Sequence, residues 1–344
     1  MRALTLLLLL CLAACSREPV AGVTELVYAT PYPPAHPFSR ADQEWIDFVQ
    51  QRSGGALRII PSWSGALLSA EHSMQEIRHG VADIGLITPI YVKGGVHLIR
   101  LQSGFYSGTT TVAQQVALYR CLERSSPQFA HELEGLKILA VQGGALPGIV
   151  TRDRPIRSLD DLAGLRLRAP TELLNVLGAL GVDAVTMPMG DVYSALAKGV
   201  LDGVVAPLDT FRSLHFAEVA DYYAELVVPR GAYPARAMRM QRWQALDAAQ
   251  QAVLEEGVAV WEEAMARLTD AAQLEGRDLA VAEGVQFTPI TPQDQQRFDA
   301  LYVQEAARNA ESLARYGIDG RAVLDVALAS VGLNGTISCA GGSD

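Results

Sequence analysis

The sequence predicts an α/β protein with room for two domains, and three observations carry that prediction. Strand-loop-helix units recur through the N-terminal third. The stretch 155–209 reads strand, helix, short strand, helix, strand, and a long helical run follows from Leu246 to Glu275. The 344 residues are 49% hydrophobic and 19% charged, ordinary for a globular chain long enough to build more than one core. A formal net charge of −10 argues against nucleic acid as a partner, so any anion site must be positive locally. No internal run approaches the ~18 apolar residues of a membrane span.

The N-terminus reads as an export signal. Met1-Arg2 precedes an apolar run from Leu4 to Leu12, which ends in Leu12-Ala13-Ala14-Cys15. This is a leader closing on a lipobox: residues 1–14 are a lipoprotein signal peptide, and Cys15 becomes the acylated first residue. Several acyl chains hold such a protein stably on a bacterial membrane, with residues 15–23 as a tether. A plain signal peptide cleaved nearby is the alternative.

The elements follow in order. TELVYA (24–29) is the first strand, stopped by the proline-rich loop TPYPPAHPF. Ser39 caps a helix running to about Arg52, with Trp45, Phe48 and Val49 at helical spacing, and Gly54-Gly55 ends it. ALRII (56–60) is the second strand. A helix from Glu71 to Gly80 turns Met74 and Ile77 inward and leads to a third strand, VADIGLIT. Another helix spans Val112 to Glu123, and LKILAV (136–141) is the fourth strand. Around Gly143 to Gly148 the chain crosses into a second domain, which opens on GIVTRD.

Within the central stretch, Gly164 sets up the strand LRLRA. Its alternation sends Leu165 and Leu167 to one face, Arg166 and Arg168 to the other. The strand stops at Ala169-Pro170, where an open α/β sheet places its ligand crevice. A helix near Phe211 to Val219 follows, and VVPRGAYPARAMRMQRW returns to the first domain. In the long helical run, Val253, Val260, Trp261 and Met265 form an apolar stripe. Thr291-Pro292 starts a further helix by capping chemistry, and Gly320 to Val331 gives the last.

The central stretch resembles the periplasmic solute receptors of tripartite ATP-independent periplasmic (TRAP) transporters, the DctP-type family. The resemblance lies in Pro155, Ile156, Asp161, Leu162, Gly164, Arg168 and Pro170, and then in Asp191, Val192, Tyr193, Ala195, Leu196, Gly199, Asp202 and Gly203. It extends to His36-Pro37 after the first strand and to Met240 and Trp243. It implies a two-lobed, periplasmic-binding-protein-like clamshell with a long helix spanning both lobes. The lobes would divide as 24–147 with 231–270, and 148–230 with 271–333, leaving 334–344 as a tail. It also implies a periplasmic receptor, not an enzyme, that delivers an organic acid to membrane permease subunits without a cofactor. A lipid-anchored ligand-binding sensor or scaffold for a signalling partner is the second reading.

By the same resemblance, Arg168 grips the ligand carboxylate with its paired guanidinium donors. The structural alternative is a salt bridge to Asp160 or Asp161, while Arg166 belongs to the surface or to a structural pair. Two polar contacts of sialic-acid-type members are missing, because their positions hold Gly148 and Ala206. Ala206, Val205 and Leu208 therefore favour an apolar body, a small or aromatic monocarboxylate such as a 2-oxo or hydroxy acid. Arg152 and Arg236 are candidates for a second positive charge. Tyr32, Trp63, Thr88, Gln142, Asp209 and Tyr233 stand in loops able to line the crevice.

Other chemistry finds no support. The chain contains no G-x-S-x-G, H-E-x-x-H, P-loop or G-x-G-x-x-G motif. His72 and His79 lie about two turns apart on one helix with no third metal ligand. Beyond Cys11 and Cys15, an oxidising compartment leaves Cys121 and Cys339 free to pair and tie the tail to the first domain, though spacing alone gives no distance.

Overall fold

Among the described residues, eleven strands fall into two sheets, each assembled from non-contiguous parts of the chain. The computed structural model describes residues 22–340; the leader and Cys15 lie outside them. In chain order the strands are β1 (Thr24–Ala29), β2 (Leu57–Ser62), β3 (Ile84–Leu86), β4 (Leu136–Gln142), β5 (Gly148–Thr151), β6 (Arg166–Arg168), β7 (Asp183–Val185), β8 (Gly203–Ala206), β9 (Tyr222–Ala224), β10 (Tyr233–Arg239) and β11 (Gln286–Thr288). The first sheet has the order β2-β1-β3-β10-β4 and the second β11-β9-β5-β8-β6-β7. Strands β1, β2 and β3 pair in parallel, as strand-loop-helix units require.

Crossing strands join the two lobes. Strand β4 leads through 143–147 into β5, and β9 returns through 225–232 into β10. The outgoing and returning strands lie antiparallel, β10 on β4 and β5 on β9. Between them, the Val228 amide donates to the Pro147 carbonyl at 3.0 Å. A third link is the 35-residue helix Ala248–Ala282, about 52 Å long at 1.5 Å per residue. Its first two thirds bury Val253, Trp261, Met265 and Leu268 in the first lobe, and Ala280 enters the second lobe's core. Two glycines let it approach closely. A Cβ at Gly257 would stand 2.7 Å from the Trp45 ring nitrogen, and one at Gly276 would stand 2.1 Å from the Leu208 carbonyl oxygen.

Among the described residues four apolar clusters form the cores, two on the faces of each sheet. They correct the expected lobe boundaries in one respect. The helix Pro292–Ser312 buries Phe298 and Tyr302 in the second lobe, but Ala306 and Ala310 in the first. Val323, Leu324 and Ala327 of the helix Gly320–Ser330 join the first lobe too. One continuous apolar stripe changes partners along its length, which periodicity does not reveal.

The first helix also starts earlier than expected. His36, not Ser39, is its N-cap; its Nδ1 accepts from the Phe38 amide at 3.2 Å, and Pro37 occupies the first helical position. Cys121 and Cys339 form a disulfide with their Cα atoms 5.1 Å apart, fastening the tail to the helix Val112–Ser125.

Candidate functional site

Where the two sheets face each other, the loops at their strand ends enclose a cleft. Its mouth is about 830 Å³, and beneath it lies an inner chamber of about 100 Å³; Tyr32, Tyr91, Met189 and Leu214 line both. The inner walls are largely apolar, with Phe38 and Ile90 from the first lobe and Leu173, Met189, Val205 and Leu214 from the second. Tyr32 stacks on His36 with ring centres 4.1 Å apart and meets Phe38 edge-on.

The polar groups converge at one end. Arg168, the last residue of β6, is 4% exposed and lines the inner chamber. Its Nε donates to the Met187 carbonyl at 3.0 Å, and one Nη donates across the cleft to the Tyr91 hydroxyl at 2.8 Å. The other Nη has no protein partner among the described residues, and no carboxylate lies within salt-bridge distance of this guanidinium. Asp160 instead pairs with Arg297, and Asp161 accepts from the backbone at Arg157 and Ser158. Arg166, two residues earlier on the same strand face, is exposed and reaches Asp183 at 3.6 Å. Position along the strand separates the two arginines, one at the outer end and one at the crevice.

Arg230 lines the same chamber from the returning crossover and donates to the Ala145 carbonyl at 3.3 Å. Its guanidinium occupies the space that a Cβ on Gly144 would fill, so this arginine depends on a glycine in the opposite crossing segment. Glu172 lines the chamber too, with its carboxyl pushed up by burial against the lowering influence of Arg168 and Arg230. Just behind the wall, burial raises Asp209 from its ordinary 3.8 to about 6. His36 is pushed down to about 3, first by burial and then by Arg236 and Arg230. It is neutral, and since Nδ1 accepts from the Phe38 amide, Nε2 carries the proton. Tyr233 is pushed up to about 12 by burial, so its hydroxyl is a donor.

The expected site residues divide sharply. Arg168, Tyr32 and Tyr233 meet at the inner chamber, and Thr88 lines the mouth, fixed by Ser73 and the Ala70 carbonyl. Gln142 stands behind the wall and donates to the Tyr233 hydroxyl at 2.8 Å. Asp209 is likewise behind it, accepting from Ser213 at 3.0 Å while Thr210 lines the chamber.

Four expectations are corrected. Arg152 is at the far end of β5, because that strand runs from the cleft at Gly148 outward, and its guanidinium packs beside Gly199. Arg236 is buried in the first lobe's core, where Nε meets Asp42 at 2.6 Å and the guanidinium covers the Trp261 ring. Ala206 faces the second lobe's core, and its neighbours Val205 and Pro207 line the chamber. Trp63 packs edge-on against Tyr28 and lines neither cavity.

Tyr91, Glu172 and Arg230 escaped the sequence reading as site residues, and His36 was recognised only for its place after the first strand. The available signals were an acid four residues after Arg168 and an arginine between Pro229 and Gly231 on a segment that crosses between lobes. Among the described residues no cluster of three metal-binding side chains occurs, and no helix is long and apolar enough to cross a membrane.

Residues 28–311 match the family model described as bacterial extracellular solute-binding protein, family 7 (DctP). The chain belongs to that family. It is a TRAP-type periplasmic solute-binding protein, and solved structures agree in fold. A TRAP periplasmic solute-binding protein from Desulfovibrio salexigens aligns with TM-score 0.72 and 27% identity over 90% of this chain and 95% of its own. A TRAP solute-binding protein from Rhodoferax ferrireducens, solved with copurified benzoate, aligns with TM-score 0.80 and 24% identity over 89% and 97%. A monocarboxylate 2-oxoacid-binding periplasmic protein from Nostoc is 25% identical over 178 residues, 51% of this chain and 48% of its own length.

Proposed function

We propose that this receptor binds a small organic monocarboxylate with an apolar body, holds its carboxylate on Arg168, and delivers it to the permease of a TRAP transporter. One observation carries the reading: a buried guanidinium with no carboxylate partner among the described residues opens onto a cavity. A charge withdrawn from water costs several kcal/mol unless it is paired, and a ligand carboxylate supplies the missing partner. The paired donors of a guanidinium also orient it.

The surrounding charges favour a single ligand charge. The charged groups lining the chamber are Arg168 and Arg230 against Glu172, so one ligand carboxylate balances the wall and a second would exceed its positive charge. Arg230 supplies the second cation that Gly148 does not. A side chain at 148 would meet the Tyr223 hydroxyl and the Ala224 carbonyl, each 2.6 Å from its Cβ. The apolar walls suit an aromatic or aliphatic body, and the names of the benzoate-bound and 2-oxoacid-binding relatives point the same way.

Isothermal titration with a panel of organic acids tests the assignment. Arg168→Ala is expected to weaken the tightest-binding acid roughly a hundredfold or more, since two charge-assisted hydrogen bonds are lost, while circular dichroism stays that of the wild type. A variant that binds as the wild type does would remove Arg168 from the site. The acid is expected to be recovered unchanged, because the reading assigns no reaction.

The same reading places the receptor on a membrane through acylated Cys15. Cys15→Ala is expected to move it from the membrane fraction to the soluble periplasm; continued retention on the membrane would rule out the anchor.

A further inference from the structure

We propose that Glu172 is a specificity-determining acceptor for a hydroxyl group on the ligand, which makes the preferred cargo a hydroxylated monocarboxylate. The inference rests on the carboxylate lying at Arg168. Glu172 is 8% exposed, lines the same chamber as Arg168 and Arg230, and its Oε2 is buried without a hydrogen-bond partner. An ionised carboxylate only accepts, so the orphan oxygen requires a donor.

The protein groups nearby leave Oε2 itself without one. The Ser103 hydroxyl and the Glu172 backbone amide both favour the ionised carboxyl, but Ser103 donates to the Arg100 carbonyl at 2.7 Å and neither group bonds Oε2. The Tyr302 hydroxyl, which also feels Glu172, makes no hydrogen bond to it; its ring is in the second lobe's core and lines a separate cavity. Neither arginine comes within 4.0 Å in a salt bridge, although both act on Glu172 through space.

Helix geometry does not explain the arrangement either. Glu172 sits in the turn Thr171–Leu173 directly after Arg168-Ala169-Pro170, and this turn presses on the first lobe at Gly104, where a Cβ would stand 3.2 Å from the Glu172 Cβ. Its carboxyl is therefore carried to the chamber by the same short segment that carries Arg168. A ligand whose anionic group rests on Arg168 presents its body toward Glu172.

A hydroxyl fits this acceptor better than an ammonium group. The chamber already holds two guanidiniums, and an ammonium would bring a third cation beside a single lining carboxylate. A hydroxyl donates one hydrogen bond and adds no charge. A site that accepts a hydroxyl proton discriminates against the analogue lacking it, because the acceptor is then left buried and unpaired.

The test uses matched carboxylate probes that differ by one hydroxyl: propionate with lactate, phenylacetate with mandelate, and benzoate with 3-hydroxybenzoate. Isothermal titration of the wild-type protein is expected to favour the hydroxylated member of at least one pair by about tenfold to a hundredfold. The absence of such a preference in all three pairs overturns the proposal without any variant.

Glu172→Leu is expected to collapse the ratio to within about twofold, and Glu172→Gln, which keeps an acceptor oxygen, to retain part of it. Loss of the negative charge strengthens both members alike, so the ratio is the readout. A ratio unchanged in Glu172→Leu overturns the assignment to Glu172. Arg168→Ala separates the two readings: it is expected to weaken both members of a pair together. If it leaves both as in the wild type, the carboxylate assignment fails; if it weakens both and Glu172→Leu changes nothing, only the hydroxyl inference fails.

Discussion

Arg168 and Arg236 are nearly equal in burial, at 4% and 3% exposure, yet they stand in opposite situations. Arg236 projects from β10 into the first lobe's core, with Asp42 at 2.6 Å, the Gln142 side chain at 3.3 Å and the Trp261 ring 4.6 Å below it. Asp42 accepts from the Trp261 indole as well, at 2.8 Å. Its charge is answered inside the fold. Arg168 has a carbonyl and a tyrosine hydroxyl, both neutral, and a cavity in place of a counterion. The difference teaches that burial does not mark a functional arginine; the absence of a partner does.

The largest expected effect breaks the Arg236 side of this comparison. Arg236→Met leaves Asp42 buried beside Trp261 with no cation, and stability is expected to fall by about 3–5 kcal/mol in urea unfolding. Arg168→Met should act in the opposite sense on the ligand-free protein, because it removes a buried charge that nothing compensates. Its apo melting temperature is expected to equal or exceed that of the wild type, while acid binding is lost by roughly a hundredfold. Equal destabilisation by the two substitutions would show that Arg168, too, is structural.

Much of the fold is legible in the sequence. Strands end at Gly and Pro, helices open on Thr291-Pro292 or close on Gly54-Gly55, and apolar spacing identifies the long helix. The short strands β9 and β11, which pair in parallel, were not legible, since three residues carry too little alternation and their pairing joins distant segments. The site was legible in the same uneven way. Arg168 announces itself by standing on a strand just before the crevice turn. Arg152 and Arg236 share that local appearance, and only the direction of β5 and the location of Asp42 separate them from it. Arg230 could not be placed, because its position depends on Gly144 in another segment crossing beside it.

His36 lines the inner chamber and feels both Arg236 and Arg230. Burial holds it at about 3 against an ordinary 6.5, so the unfolded chain takes the proton first as pH falls. Its contribution to stability is complete above about 6.5 and is lost progressively toward 3, amounting to ~2 kcal/mol at pH 5. Asp209 works the other way. Raised to about 6, it takes its proton first in the folded state, stabilising the fold by ~1 kcal/mol as pH falls to 5 and losing that as pH rises through 6. His36→Asn preserves a helix cap but not the titration. Urea unfolding at pH 7.5 and pH 5 is expected to show the wild type losing more stability than the variant between the two. Equal losses would mean that His36 is already accessible to protons in the folded chain.

The smallest expected effect concerns how the ligand-addressed arginine is held. Tyr91 follows β3 in the first lobe, and its hydroxyl accepts from Arg168 of the second lobe at 2.8 Å. This hydrogen bond to a charged group spans the cleft, so it serves both to orient the guanidinium and to favour approach of the lobes. Tyr91→Phe removes it while leaving the ring. Acid affinity is expected to fall about tenfold, which corresponds to ~1.4 kcal/mol, with the apo fold unchanged. Since Tyr91 and Arg168 act on one ligand group, the double variant should be hardly weaker than Arg168→Ala alone, the non-additivity of coupled neighbours. Full additivity in that cycle would place Tyr91's contribution elsewhere in the mouth and leave the free edge of Arg168 to hold the carboxylate unaided.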